Sequence, residues 1–323
     1  MDIKAIRQPI KQEMLLFQQA FSEALKTDNP LLASIHEFLL ERTGKLLRPT
    51  ITLLSAKLCG VVNEKTINSA LSLELLHNAS LMHDDVVDET LERRGKPSIN
   101  ARWNNKAAVL SGDYMLSNSL LYATKTESLK ILDCISNIGV LLADGELLQL
   151  ANTQKSGMSE DDYFNVIRKK TAALFAASAK VGAISVDASK TQIEAMYDYG
   201  ENLGICFQLK DDIFDYYEDI KIGKPTQNDI REGKVTLPLI YALRNTEGAK
   251  KIEISNWINY NDFSTENIKT IIRFAHENGG IEYAEKQMEI YKNRAIEAIG
   301  GFADNDVKKS LIICAEFAAA RDI

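Results

Sequence analysis

Along most of the chain apolar residues return at helical intervals, predicting helices over 48–59, 64–90, 100–124, 127–152, 159–186, 190–219, 234–245, 264–278, 280–299 and 304–320. Sustained alternation of apolar and polar residues, the mark of a half-buried strand, is almost absent. The boundaries carry expected signals: Pro49 in a first turn, Gly60 after a last turn, Gly279-Gly280 between two helices. Six prolines and 45% apolar residues suit such a chain. No Pro/Gly/Ser-rich linker, low-complexity run or fixed-period repeat interrupts it. The expectation is an all-α, single-domain bundle of roughly ten or more helices spanning residues 1–323.

Two acidic runs of one design stand on predicted helices: Asp84-Asp85-Val86-Val87-Asp88 and Asp211-Asp212-Ile213-Phe214-Asp215. The first and last aspartates of each are i,i+4 neighbours on one face, where like charges destabilise an isolated helix. One such run is ordinarily a solvated helix face. Two with identical spacing, each flanked by apolar residues, point to divalent cations that neutralise them. Oxygen ligands with no His or Cys cluster nearby favour Mg²⁺ shared with substrate phosphates.

The flanks extend this chemistry. After the first run come Glu89 and Arg93-Arg94-Gly95-Lys96-Pro97, acid followed at once by base, as a metal–diphosphate site requires. Gly95 and Pro97 are expected to end the helix and leave the cations on its rim. His77, Ser80, Asp84 and Asp88 share about a quarter of the helix circumference at roughly 100° per residue. A structural and a metal-facing role for His77 both remain open. Around the second run, Gly204, Gln208, Asp211 and Asp215 form a polar stripe, and Leu203, Cys206, Phe207, Ile213 and Phe214 a buried one. Lys221, Lys224 and Lys234 trail behind it, either as surface charge or as phosphate ligands.

The stretch Glu74–Asp85 continuing to Arg94-Gly95-Lys96-Pro97 resembles the first aspartate-rich motif of the trans-isoprenyl diphosphate synthases, and Phe207–Asp215 resembles their second. Gly44-Lys45-Leu46-Leu47-Arg48-Pro49 is similar to their isopentenyl diphosphate-binding element. Lys170-Thr171 matches the family's Lys-Thr pair, and Gly223-Lys224-Pro225 with Gly233-Lys234 the tail of the second motif. The matches run in family order from about residue 41 to 245; the last eighty or so residues carry none.

The resemblance implies the isoprenoid-synthase fold, helices around a central cavity, and a reaction in which an allylic diphosphate ionises to a carbocation. Isopentenyl diphosphate would then attack, and a proton would be lost to the released pyrophosphate. It implies that Asp84, Asp85, Asp88 and Asp211 hold three Mg²⁺ on the allylic diphosphate, with Mn²⁺ able to substitute, and that Asp212 and Asp215 support the second metal position. Arg93, Lys170, Lys224 and Lys234 would surround the leaving group. Lys45, Arg48, His77 and Arg94 would hold isopentenyl diphosphate without metal. Thr171 and Gln208 would lie near the reacting carbons. A homodimer is also expected.

Product length should be set along the first motif helix. The fifth and fourth residues before Asp84, Ala79 and Ser80, lie about 6–8 Å down its axis. Short-chain relatives resemble one another in carrying a bulky aromatic there; these two cannot block a chain, and the two-residue insertion of many bacterial short-chain enzymes is missing. The expected product is a long all-trans chain suited to a quinone, with Leu76 or Leu73 as a deeper floor. Close helix packing is the competing explanation for the small residues.

Charge and composition exclude other classes. A net charge of −7 argues against a nucleic-acid partner but not against a locally bound anion. Cys59, Cys134, Cys206 and Cys314 lack metal-ligand spacing and read as buried thiols of a reducing cytosol. His36, His77, His83 and His276 are too dispersed for zinc or for a His-rich phosphohydrolase. The first residues lack the continuous apolar core of a signal peptide, and no twenty-residue uncharged apolar run occurs, so a cytoplasmic protein without a transmembrane segment is expected. A terpene cyclase would carry a different second motif. A non-catalytic regulatory subunit would typically have lost its aspartates, and both triplets are intact here.

Overall fold

The computed structural model describes residues 3–41, 44–93, 95–153, 155–217 and 227–320, and they are overwhelmingly α-helical. Among them the only β structure is a hairpin pairing Glu92–Arg93 with Lys96–Pro97, turned by Gly95 at φ +72°. The all-α expectation holds, and most predicted helices are present with ends moved by a few residues.

The shifts have local causes. The first motif helix, Glu64–Val87, stops before Gly95: Asp88 is its C-cap and Glu89 turns left-handed at φ +51°. The predicted 100–124 helix is broken at Trp103-Asn104, and Asn104 caps the new helix Asn105–Thr124 through its side chain. The predicted 159–186 helix contains a π-helical turn, Arg168–Ala172, between Glu160–Ile167 and Ala173–Ser185. Helices Lys11–Ala24, Pro30–Leu40 and Ala249–Asn259 went unpredicted.

The described chain divides into two compact units. One comprises 1–140, 174–200 and 296–314. Its axis is Glu64–Val87, buried on every face from Asn68 to Leu76, with Asn68, Ser69, Ser72 and Glu74 enclosed along with the leucines. Asn63 and Thr66 close a reciprocal capping box at its start. Small residues admit its neighbours: Ser72 Oγ donates to the Ser119 carbonyl at 2.7 Å, holding Asn105–Thr124 alongside. A Cβ on Gly182 would stand 2.3 Å from the Thr52 carbonyl oxygen, so Ala173–Ser185 lies backbone to backbone against Leu47–Cys59.

The other unit comprises 141–173, 201–295 and 315–323. Ser159 and Asp162 form a second capping box that starts Glu160–Ile167. Glu160 accepts from Tyr283 Oη at 2.6 Å and Arg244 Nη1 at 2.9 Å, while Tyr241 and Tyr283 stack at 4.2 Å. These contacts tie Glu160–Ile167 to Leu237–Arg244 and Gly280–Ala298.

All four cysteines are free thiols, and burial pushes Cys59 and Cys134 up to about 11 and Cys314 to about 12. Among the described residues no helix is long and apolar enough to cross a membrane.

Candidate active site

In the first unit, Asp84, Asp85 and Asp88 crowd the C-terminal end of Glu64–Val87. The helix dipole is negative there, so the fold gives these carboxylates no axial help and a cation is the natural partner. Asp88 N–H donates to the Asp84 carbonyl at 2.8 Å, which keeps the two one turn apart although Asp88 has left the helix. Asp85 is different: it is 5% exposed and accepts from Arg93 Nε at 2.7 Å. Arg93 thus reaches back from the hairpin to the middle aspartate. Asn100 Nδ2 donates to the carbonyls of Asp85 and Thr90, at 3.1 and 3.2 Å, and secures the intervening loop.

Arg48 and His77 are brought together: Arg48 Nη1 lies 2.9 Å from His77 Nε2, and its guanidinium covers the Phe175 ring at 4.9 Å from the centroid. Lys45 is exposed in the loop preceding Leu47–Cys59. Arg94 lies outside the described residues, as do Lys221, Lys224 and Pro225. Of the expected floor residues, Leu76 and Ala79 are 3% and 1% exposed, packed within the unit. Ser80 is half-buried and donates to the His77 carbonyl at 3.0 Å.

In the second unit a cavity of about 130 Å³ is lined by Lys170, Thr171, Gln208, Asp212 and Lys234, all named from the sequence. The π turn supplies Lys170 and Thr171; such turns are frequent at functional sites. Thr171 Oγ1 donates to Gln208 Oε1 at 2.7 Å, and Gln208 Nε2 donates to Asp212 Oδ1 at 2.7 Å. Tyr163 Oη donates to Asp212 Oδ2 at 2.5 Å. Lys170 pairs with Glu146 at 2.7 Å, and Lys234 with Glu232 and, at 3.8 Å, Asp229.

The expected polar stripe needs correction: Gly204 and Asp215 are buried while Gln208 and Asp211 are half-buried, and Phe207 and Phe214, expected to be buried, are half-exposed. Asp215 spends its oxygens on the backbone, accepting from Asn228 N at 3.1 Å, Asp229 N at 3.0 Å and Ile230 N at 3.3 Å. It therefore anchors the turn that carries Asp229. Burial, reinforced by the charge of Asp229, pushes Asp212 well above the usual carboxylate range and Asp215 up to about 7. A cation brought close to either acid would favour its charged form.

Tyr163, Gln149, Glu146 and Asp229 were missed from the sequence. Gln149 Nε2 donates to Glu146 Oε1 at 3.2 Å one helical turn apart, and that i,i+3 polar pair was the available signal. Among the described residues no three His, Cys, Asp or Glu side chains converge into a metal cage. Mg²⁺ usually takes one or two carboxylates plus substrate phosphates instead of an all-protein cage, so acidic runs with adjacent cations fit that donor set.

The polyprenyl synthetase family matches residues 29–275. An octaprenyl diphosphate synthase of Haemophilus influenzae is 33% identical over all of this chain and 98% of its own length. A polyprenyl synthase from Caulobacter crescentus, solved with calcium and isoprenyl diphosphate, superposes with a TM-score of 0.94 at 31% identity, covering 99% of this chain and 98% of that one. A geranylgeranyl pyrophosphate synthase from Bacteroides thetaiotaomicron superposes at 0.86 with 41% identity, covering 99% of each chain. With both aspartate runs in place and a match of this extent, the chain belongs to the polyprenyl synthetase family.

Proposed function

We propose that this chain is an all-trans long-chain polyprenyl diphosphate synthase, adding isopentenyl diphosphate units to an allylic diphosphate such as farnesyl diphosphate, its product suited to a quinone side chain. The observation that supports it most is end-to-end similarity to an octaprenyl diphosphate synthase in a chain that keeps both aspartate runs. The whole of 1–323 acts as one synthase domain in this reading, cytoplasmic and homodimeric.

Asp84, Asp85, Asp88 and Asp211 would hold Mg²⁺, with Asp212 and Asp215 supporting a second metal position, and the ions would neutralise the departing diphosphate. Arg93, Lys170 and Lys234, with Lys224, add fixed positive charge around the leaving group; donors set before the reaction stabilise developing charge without reorganising. Lys170 and Lys234 already stand in ion pairs with Glu146, Glu232 and Asp229, so the arriving phosphates exchange one anionic partner for another. Thr171 and Gln208 form a hydrogen-bonded pair whose dipoles can face the allylic cation. Lys45, Arg48, His77 and Arg94 receive the isopentenyl diphosphate and hold its double bond for attack.

The 41% identity to a geranylgeranyl pyrophosphate synthase supports a shorter product as the second reading. The test is incubation of the purified chain with Mg²⁺, farnesyl diphosphate and labelled isopentenyl diphosphate, with products resolved by length. Products longer than geranylgeranyl are expected. A single geranylgeranyl product overturns the long-chain assignment, and no product from intact substrates overturns the reading of this chain as a self-sufficient enzyme.

A further inference from the structure

We propose that Arg7 is a positioning residue for the Gly44–Pro49 element: its guanidinium clamps the backbone of Lys45 and Leu46 and so sets where Lys45 and Arg48 meet a diphosphate. The proposal rests on the reading of that element as the isopentenyl diphosphate site. Arg7 lies well before residue 29, where the family match begins, so no motif points to it.

The element is conformationally costly. Leu46, immediately before the helix Leu47–Cys59, adopts φ +42° and ψ +45°, a left-handed conformation that a branched apolar side chain rarely takes. Such a residue persists only where its surroundings over-determine it. Three donors converge on its carbonyl: Thr50 N at 3.2 Å, Thr50 Oγ1 at 2.7 Å and Arg7 Nη2 at 3.3 Å. The same Nη2 donates to the Lys45 carbonyl, and Arg7 Nε donates to Thr50 Oγ1 at 3.0 Å. One planar fork therefore spans the loop and the first turn of the helix, a geometry that an ammonium group lacks. The fork is itself fixed, because Ile6 and Ile10 on either side of it are fully buried. Two residues along, Arg48 meets His77 and Phe175, so a loop displaced at Leu46 displaces the Arg48 guanidinium with it.

The experiment compares wild type, Arg7→Met and Arg7→Lys in two assays. In limited trypsinolysis of the folded protein, cleavage of the Lys45–Leu46 bond should quicken by about fivefold or more in both variants, since cleavage follows the open population of the loop. In steady-state kinetics, KM for isopentenyl diphosphate should rise about tenfold in Arg7→Met, with kcat and the allylic KM changed less than about threefold. Arg7→Lys keeps the charge and is expected to fall between. A general loss of active protein would lower the apparent kcat and leave both KM values unchanged, and that result overturns the proposal. Unchanged cleavage at Lys45 overturns the clamp. Faster cleavage with an unchanged KM for isopentenyl diphosphate overturns the positioning role, and Arg48→Ala shows where the fault lies. If Arg48→Ala also leaves that KM unchanged, the assignment of the element has failed; if it raises KM, the failure belongs to Arg7 alone.

Discussion

Asp212 has both carboxylate oxygens engaged, one by Gln208 and one by Tyr163, in a site that is 2% exposed. A buried acid in that position depends on its donors for orientation, and each hydrogen bond to a charged group is worth about 1.5–3 kcal/mol. Tyr163→Phe removes one donor and keeps the ring, which packs edge-on against Phe164 at 5.3 Å. The expected result is a severalfold rise in the Mg²⁺ concentration giving half-maximal rate, with an unchanged far-ultraviolet spectrum. The same variant should bind Mn²⁺ more weakly in the presence of inorganic pyrophosphate, read by electron paramagnetic resonance without turnover. Unaltered Mn²⁺ binding shows that Tyr163 is a packing residue only.

At the scale of elements, the π turn Arg168–Ala172 is what sends two consecutive side chains, Lys170 and Thr171, into one cavity. Its support is Gly145: a Cβ there would stand 2.9 Å from both Lys169 Cβ and Lys170 N. Gly139, on the same helix Leu129–Asn152, would meet nothing within 4 Å. Both Gly→Ala changes raise helix propensity by about 1 kcal/mol, so their difference isolates the steric contact. Gly139→Ala should keep full activity and gain a little stability. Gly145→Ala should lose about tenfold or more in kcat, since displacement of reacting groups by 1 Å can cost about a hundredfold. Equal activity of the two variants would discard the supporting role.

This element also marks what was legible in the sequence. The aspartate runs and the Lys-Thr pair are local signals that a short stretch of sequence carries by itself. An i→i+5 turn has no residue signature, because it is imposed by what packs beneath it. Tyr163, Asp229 and Gln149 reach the cavity from three segments far apart in the chain, so no spacing rule could gather them. The early end of Glu64–Val87 was also hidden, since Asp88 and Glu89 terminate it without the glycine that the pattern offered further on.

Over the whole molecule, the acid-rich second run should make stability depend on pH in a direction that metal reverses. The Asp215 carboxyl, raised to about 7 chiefly by burial, stands above its unfolded value of about 3.9. The folded state therefore binds more protons than the unfolded one, and stability contributed by Asp215 and Asp212 is lost as pH climbs from about 4 towards 7. His36, whose burial lowers its pKa, acts in the opposite sense below about 6.5. The comparison should therefore be made against Asp215→Asn. Scanning calorimetry of the metal-free protein should show a lower Tm at pH 7.5 than at pH 5.5, and Asp215→Asn should flatten that slope. Mg²⁺ with inorganic pyrophosphate favours the charged carboxylates, so its stabilising increment should be larger at pH 7.5 than at 5.5. A metal-free Tm that rises across this range, with the same slope in Asp215→Asn, would mean that Asp215 is already ionised and held by the Asn228–Ile230 backbone alone.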